Sequence, residues 1–220
     1  MNLKYGDVRF PVFLLILTAA AARAQVPAST AAAQALEAAP AAGSPTLAVQ
    51  DLVAQAKLYK DAAAPGLDAA EKGRRLAVRD RLSGILDLRE MARRILAPQW
   101  GKLKPAEREK YSALLSRLVE KAGYPQIEKY FNGKLELLYE GEKPLDGGVA
   151  VLTRIVYKEE DLALSTEFHL HRTSSAWRVY DVVTDGDSLL LIYRNQHLGI
   201  IKDKGFVELV RLMEKKADAK

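Results

Sequence analysis

The hydrophobic pattern of this 220-residue chain changes at Asn132-Gly133, from a period near 3.6 residues to a period of 2. The first period is typical of helices that bury one side, and the second of strands that bury one face. A helical half followed by consecutive strands favours the α+β class. We therefore expect a curled antiparallel sheet of about four strands packed against a helical half.

Short polar turns separate the four predicted strands, which cover residues 135–139, 149–157, 162–170 and 177–183. Strands joined by short turns most simply pair as an antiparallel meander. In the third strand one face carries Leu162, Leu164, Phe168 and Leu170. Its other face carries polar side chains, so the sheet should have one dry face, covered by helices, and one wet face.

Helices are predicted from Pro45, over residues 68–83 and 87–96, and from Pro105, with two more after the sheet near Ser188 and Phe206. Proline is well suited to the first position of a helix. The helix from Pro105 has an apolar stripe at i, i+3, i+4, i+7, i+8 spacing: Tyr111, Leu114, Leu115, Leu118 and Val119. Gly123 is the expected end of that helix.

The N-terminal segment has the three parts of a secretory signal: basic residues, a short apolar run and an Ala-x-Ala site. We predict a signal peptide over residues 1–24, an Ala/Pro-rich linker over 25–44, one domain over 45–216 and a charged tail over 217–220. Cysteine is absent, which excludes disulfides and zinc-thiolate sites. These features predict an exported, periplasmic protein.

No phosphate-binding loop and no nucleophile elbow occurs in the sequence. The net charge is only +5, and the sequence lacks the basic patches of a nucleic-acid binder. No nucleic-acid partner is therefore expected. His169 and His171 share a strand face with Glu167, and this group could hold a metal or simply form a polar surface. The polar surface is the favoured interpretation, and neither a metal nor another cofactor is predicted.

The segment WRVYDVVTDGDSLLLIYRNQ, residues 177–196, joins the last strand to a helix. Strict alternation places Trp177 and Asp181 on the same strand face, and a carboxylate near the core needs a partner. Arg194 on the following helix is the predicted partner, in a structural ion pair. The alternative is general acid or base catalysis by Asp181 or Tyr193.

The motifs W-R-V-Y-D-V, G-x-S-L and Y-R-x-Q in this segment resemble the C-terminal signature of the MlaC family, also called the toluene-tolerance auxiliary family. Asp87, Met91-Ala92, Trp100 and the L-x-P-x-E-R of residues 103–108 agree in order and spacing. His197 departs from the family pattern, in which an aromatic residue is frequent at this position. The resemblance covers residues 49–216.

The resemblance implies a periplasmic carrier that holds phospholipid tails in an apolar cavity between helices and sheet. It implies a monomer that exchanges lipid with an inner-membrane ABC transporter complex and an outer-membrane lipoprotein complex, in maintenance of lipid asymmetry. The acyl pocket is then expected to be formed by Trp100, Tyr111, Leu115, Leu118, Val151, Ile155, Leu162, Leu164, Phe168, Leu170, Trp177 and Val179. Asp181, Ser188, Tyr193 and Arg194 are expected to have structural roles at its rim.

Two rival functions remain open at the level of sequence. One is a small-molecule enzyme on a similar curled-sheet fold, with Asp181 or Tyr193 as acid or base. The other is a periplasmic adaptor without a pocket. The absence of a complete catalytic set favours the carrier over the enzyme.

Overall fold

The computed structural model describes residues 43–130, 135–157 and 162–219. The predicted signal peptide and the predicted linker up to residue 42 lie outside these residues. Within the described part, no helix has the length and apolar character needed to cross a membrane.

Helices fill the N-terminal half, and the polar side chain just before a helix often caps it. Ser44 accepts a hydrogen bond from the backbone N–H of Leu47, and Asp68 accepts one from Glu71. Such caps satisfy backbone donors that have no partner within the helix. The helices are α1 (Pro45–Leu58), α2 (Ala69–Ile85), α3 (Leu88–Ile95), α4 (Ala97–Trp100), α5 (Pro105–Leu118) and α6 (Tyr124–Tyr130).

The prediction that Gly123 ends a helix is wrong. A π-helical segment, Val119–Gly123, joins α5 directly to α6. Gly123 is buried there, and the helical backbone continues through it into α6. Glycine in a helix costs only about 1 kcal/mol relative to alanine, which packing can offset.

The sheet has the strand order β1-β2-β3-β4-β5, and each strand is antiparallel to its neighbours. This order confirms the predicted meander and the α+β class. Its strands are β1 (Leu135–Leu145), β2 (Gly148–Tyr157), β3 (Leu162–Arg172), β4 (Trp177–Thr184) and the short β5 (Asp187–Ser188). The first strand extends past residue 139 because a bulge between Tyr139 and Gly141 keeps it in register with β2.

A second bulge, in β4, overturns the prediction that Trp177 and Asp181 share a face. Val179 pairs with Leu170 and Asp181 pairs with His169, so Tyr180 is an extra residue between the two pairs. An extra residue exchanges the faces of all residues that follow it. Asp181 therefore lies on the opposite face from Val179.

Helices pack on both faces of the sheet near β4. On the face that carries Leu170 and Phe168, α1 packs against β1, β2 and β4, and α2 packs against β4. The link from α2 to α3 crosses the edge of β4, where the N–H of Asp87 donates to the carbonyl of Val179 at 2.7 Å. Helix α3 then continues on the other face, where Arg94 stacks on the ring of Tyr180, 3.8 Å from its centroid.

The face of the sheet that was predicted to be exposed to solvent is thus only partly exposed. His171 Nε2 lies 3.0 Å from a carboxylate oxygen of Asp87, and His169 Nε2 lies 3.1 Å from Glu167. Both imidazoles are largely buried, with 19% of each side chain exposed. The His171–Asp87 contact joins the sheet to the start of α3, which the alternation of β3 alone does not predict.

The chain ends in two helices, α7 (Leu189–Lys204) and α8 (Phe206–Asp218). The predicted tail of residues 217–220 begins inside α8, where Ala217 is buried. Lys121 donates to the carbonyl of Ala217 at 2.8 Å, and Arg117 pairs with Asp218 at 2.6 Å. The last turn of α8 is therefore fixed to α5 and the π-helical segment.

Candidate ligand-binding cavity

An apolar cavity of about 50 Å³ lies between the sheet and the N-terminal helices. Its helical wall comes from α1, α2 and α6, and its other wall is the sheet face that carries Phe168. The lining residues are Leu52, Val53, Ala56, Leu82, Leu86, Ile127, Ile155, Thr166, Phe168, Val182 and Thr184. Every one of these side chains except the two threonines is apolar, so the cavity suits a hydrocarbon.

The sequence pattern explains why these side chains meet. Leu52 and Val53 lie one helical turn before Ala56, on the buried side of α1 that faces the sheet. Residues paired across antiparallel strands point to one face, and the register pairs Phe168 with Val182. The bulge at Tyr180 is what places Val182 on this face, because without it Val182 would point to the other side.

A larger, open cleft of about 460 Å³ lies at the other end of the sheet, between the start of α1, the end of α2 and the β3–β4 turn. Its lining includes the Arg81–Asp51 ion pair and the side chains of Arg172 and Trp177. Charged walls make this cleft unsuited to hydrocarbon tails. The smaller apolar cavity is therefore the better candidate for a lipid site.

Of the residues predicted to form an acyl pocket, Ile155 and Phe168 line the cavity. Leu164 lies beside it, in a second apolar cluster with Leu135, Ile155 and Tyr157. Val151, Leu170 and Val179 are buried in the main core, and Trp177 lines the polar cleft. The side chain of Leu162 lies outside the described part of the structure.

The helical residues predicted for the pocket lie elsewhere. Tyr111, Leu115 and Leu118 are buried in the main core on α5, which packs against α3 and α8. Trp100 is half-buried, with the guanidinium of Arg108 5.8 Å from its ring centroid. The apolar stripe of α5 correctly predicts burial but not the element against which it packs.

Residues of α1 and α2 were missed because their apolar pattern is that of any buried helix. A sharper signal is available for Thr166, which interrupts the apolar positions Leu164 and Phe168 on the buried side of β3. A polar residue at a buried position is more informative than another apolar one.

The predicted Asp181–Arg194 ion pair is wrong. Asp181 accepts hydrogen bonds from the Ser188 hydroxyl at 2.6 Å and the Leu190 N–H at 2.9 Å. Arg194 instead donates to the carbonyl of Arg94 at 2.8 Å, at the end of α3. The bulge at Tyr180 turns Asp181 toward the start of α7, where a carboxylate is favoured by unpaired helix N–H groups.

The candidate acid and base residues of the enzyme hypothesis are structural. Burial raises the pKa of Asp181 above its usual value, although the bonds from Ser188 and Leu190 act in the other direction. Burial also raises the pKa of Tyr193. Neither residue lines the cavity, and no group of His, Asp and Glu within the described ranges is arranged to hold a metal ion.

A second buried polar group lies among α5, α7 and α8. Tyr111 Oη is 2.7 Å from Nδ1 of His197, and the Tyr193 ring packs against the same imidazole at 5.7 Å. Burial lowers the pKa of His197 to about 4, so the imidazole is neutral near pH 7. The aromatic position of the family pattern is thus occupied by a neutral, aromatic-packed histidine.

The fold and the cavity define an α+β protein with a hydrocarbon-lined site between sheet and helices. A comparison with protein families matches the MlaC protein family over residues 54–215, and the chain belongs to this family. No curated protein matches the sequence. Family membership indicates a lipid-binding protein rather than an enzyme.

Among solved structures, the chain resembles a phospholipid-binding protein from Ralstonia solanacearum, determined in complex with a phospholipid. The two share 18% of their residues, with a TM-score of 0.61. The alignment covers 81% of this chain and 97% of the other. At this identity the likeness establishes the shared fold.

Proposed function

We propose that this protein is a periplasmic phospholipid carrier that holds the acyl chains between α1, α2, α6 and the sheet. The observation that carries the proposal is the apolar cavity between these elements in a chain of the MlaC family. The phospholipid complex formed by a protein of the same fold supports the class of ligand.

Binding requires the cavity to widen. Its volume of about 50 Å³ is far below the roughly 300–1,000 Å³ of pockets for small ligands. Helix α6 is the wall best placed to move, because a π-helical segment, which in proteins often marks a functional site, joins it to α5. Movement of α6 would break the contacts of Tyr124, whose hydroxyl lies 2.8 Å from that of Ser83 and whose ring packs edge-on against Tyr59.

The remaining steps of the carrier role follow from the family resemblance and the export signal. In this role the protein is a monomer that receives phospholipid from one membrane complex and delivers it to another. One complex is an outer-membrane lipoprotein assembly and the other an inner-membrane ABC transporter. Export would yield a mature protein that begins after residue 24, and the mass of protein recovered from a periplasmic extract tests this boundary.

The cavity assignment can be tested by filling the cavity from α1. Ala56 lines the cavity, whereas Ala54 on the same helix is exposed. Native mass spectrometry should show that phospholipid occupancy decreases progressively from the wild type through Ala56→Val and Ala56→Leu to Ala56→Phe, which should have the lowest occupancy. The same three residues at position 54 should leave occupancy unchanged, and thermal melting shows which variants remain folded.

Two results would overturn the proposal. Full occupancy in a folded Ala56→Phe variant would show that the acyl chains lie elsewhere. A wild-type protein that neither carries phospholipid when purified nor takes up labelled phospholipid would support an adaptor without a lipid site.

A further inference from the structure

Three threonines cross the buried face of the sheet in one row. The strand register pairs Thr153 with Thr166 and Thr166 with Thr184, so the row runs across β2, β3 and β4. Apolar side chains flank it on both sides, including Phe168 on one side and Ile155 on the other. Thr153 and Thr166 are each 1% exposed. A polar row in an apolar face needs a physical reason, because a buried hydroxyl without a partner destabilises a fold.

The three hydroxyls differ in their partners. The hydroxyl of Thr153 donates to the carbonyl of Thr166 at 2.8 Å. The hydroxyl of Thr166 has no hydrogen-bond partner among the described residues, and Thr166 lines the cavity. Thr184 lines the same cavity and is half-exposed. The row therefore presents one unused buried donor to whatever fills the cavity.

Exposure along the lining shows the direction of entry. Leu86, Val182 and Thr184 are half-exposed, whereas the lining residues of α1 and the inner strands are buried. The opening thus lies at β4, and Thr166 is one strand further in, about 5 Å away. A ligand that enters at β4 brings its polar end to Thr184 and its hydrocarbon to Phe168 and Ile155.

The acceptors that a phospholipid carries next to its hydrocarbon are the carbonyl oxygens of its acyl esters. We infer that Thr166 donates a hydrogen bond to an ester carbonyl of the bound phospholipid, so that the pocket selects ester-linked over ether-linked lipids. This inference rests on the proposed function. It assigns the row a role in setting how deeply the lipid enters, with the headgroup on the Thr184 side.

The test compares two lipids of equal chain length and headgroup, a diester phosphatidylglycerol and its dialkyl-ether analogue. Delipidated protein should bind the diester about five- to tenfold more tightly than the ether analogue. This is the difference in affinity expected from one hydrogen bond between neutral groups. Thr166→Val keeps the shape of the side chain and should bind both lipids equally. Thr153→Val is the matched control, because the Thr153 hydroxyl is already used within the sheet, and it should retain the preference.

Each result decides between the possibilities. Equal binding of both lipids by the wild type, or a preference that survives in Thr166→Val, would overturn the role of Thr166; the second result would be expected if the hydroxyl merely bound a water molecule. Failure of the wild type to bind either lipid would instead reject the phospholipid site itself. Since the Thr166 hydroxyl has no partner in the part of the chain that the structure describes, Thr166→Val should melt no lower than the wild type.

Discussion

The hydroxyl of Ser188 donates a 2.6 Å hydrogen bond to the carboxylate of Asp181, across the turn that joins β4 to α7. Both residues are buried, with 8% and 4% exposed. The same Ser188 oxygen accepts from the N–H of Leu191, and Asp181 also accepts from Leu190. The hydrogen bonds of Asp181 and Ser188 therefore hold the sheet to the start of α7.

Replacing Asp181 by alanine should lower the free energy of unfolding by roughly 3 kcal/mol, because the Ser188 hydroxyl and the Leu190 N–H lose a shared acceptor. Asp181→Asn should cost less, about 1 kcal/mol, since the amide oxygen can still accept from Leu190. Chemical denaturation measures both. Asp187→Ala, at an exposed position of the same turn, should change stability by less than about 0.5 kcal/mol.

The same Asp181 variants also test the alternative that Asp181 acts in catalysis. A carrier with a structural Asp181 should keep its phospholipid occupancy in Asp181→Asn. An unchanged stability in Asp181→Ala, together with loss of lipid, would instead place Asp181 at the ligand.

The two aspartate caps of α2 and α3 differ in burial and provide a matched pair. Asp68 is exposed and accepts from the N–H of Glu71, whereas Asp87 is buried and accepts from Glu90 and contacts His171. Asp68→Ala should cost about 1 kcal/mol, the usual contribution of a cap. Asp87→Ala should cost about 2–3 kcal/mol, because a buried imidazole also loses its partner.

A double-mutant cycle with His171→Ala measures the contribution of the Asp87–His171 contact alone. Equal losses for Asp68→Ala and Asp87→Ala, with no coupling to His171, would show that this contact does not hold the sheet to α3.

His197 makes stability depend on pH in a known direction. Its pKa is about 4 in the folded protein and near 6.5 when unfolded. Below pH 6.5 the unfolded chain binds a proton that the folded state does not, so stability is full above pH 6.5 and decreases toward pH 4. The decrease from this residue should reach about 3 kcal/mol.

His197→Phe isolates this effect, because every other titrating group is shared with the wild type. Burial raises the pKa of Tyr111 and of Tyr193, so the neighbouring phenols stay protonated in this range. The stability difference between the two proteins should be constant above pH 6.5 and shift in favour of the variant as pH falls. A difference independent of pH would mean that His197 is not buried as a neutral base.

The sequence predicted the elements well where a local rule applies. The period of 2 located β2, β3 and β4 to within a few residues, and Pro105 begins α5 as predicted. Both rules depend on neighbours in the chain, which the sequence contains. The prediction that Gly123 ends a helix failed because packing, rather than local conformation, decides whether a glycine ends a helix.

The site was less predictable because it depends on one bulge. The extra residue Tyr180 places Asp181 and Val182 each on the face opposite to the one that alternation predicts. No local sequence pattern around Tyr180 indicates this change. The prediction therefore paired Asp181 with Arg194 and did not include Val182 in the pocket. Ile155 and Phe168 were among the predicted pocket residues and line the cavity, and Phe168 lies on the regularly alternating face of β3.

The last prediction concerns the release of a bound lipid. Burying acyl chains from water contributes about 0.8 kcal/mol per CH₂, so two long chains amount to more than roughly 20 kcal/mol. Escape into water should therefore be very slow, whereas a bilayer offers the chains an equally apolar environment.

Transfer should consequently require contact with the acceptor. Protein loaded with a fluorescent phospholipid is mixed with increasing concentrations of phospholipid vesicles, and the rate of transfer is followed by the change in fluorescence. Transfer by collision gives a rate that rises in proportion to vesicle concentration, whereas release into water gives a rate independent of it. Ala54→Phe, exposed on α1, should transfer as the wild type does. A rate that does not depend on vesicle concentration would rule out delivery by contact, because the lipid would then leave the protein before meeting a membrane.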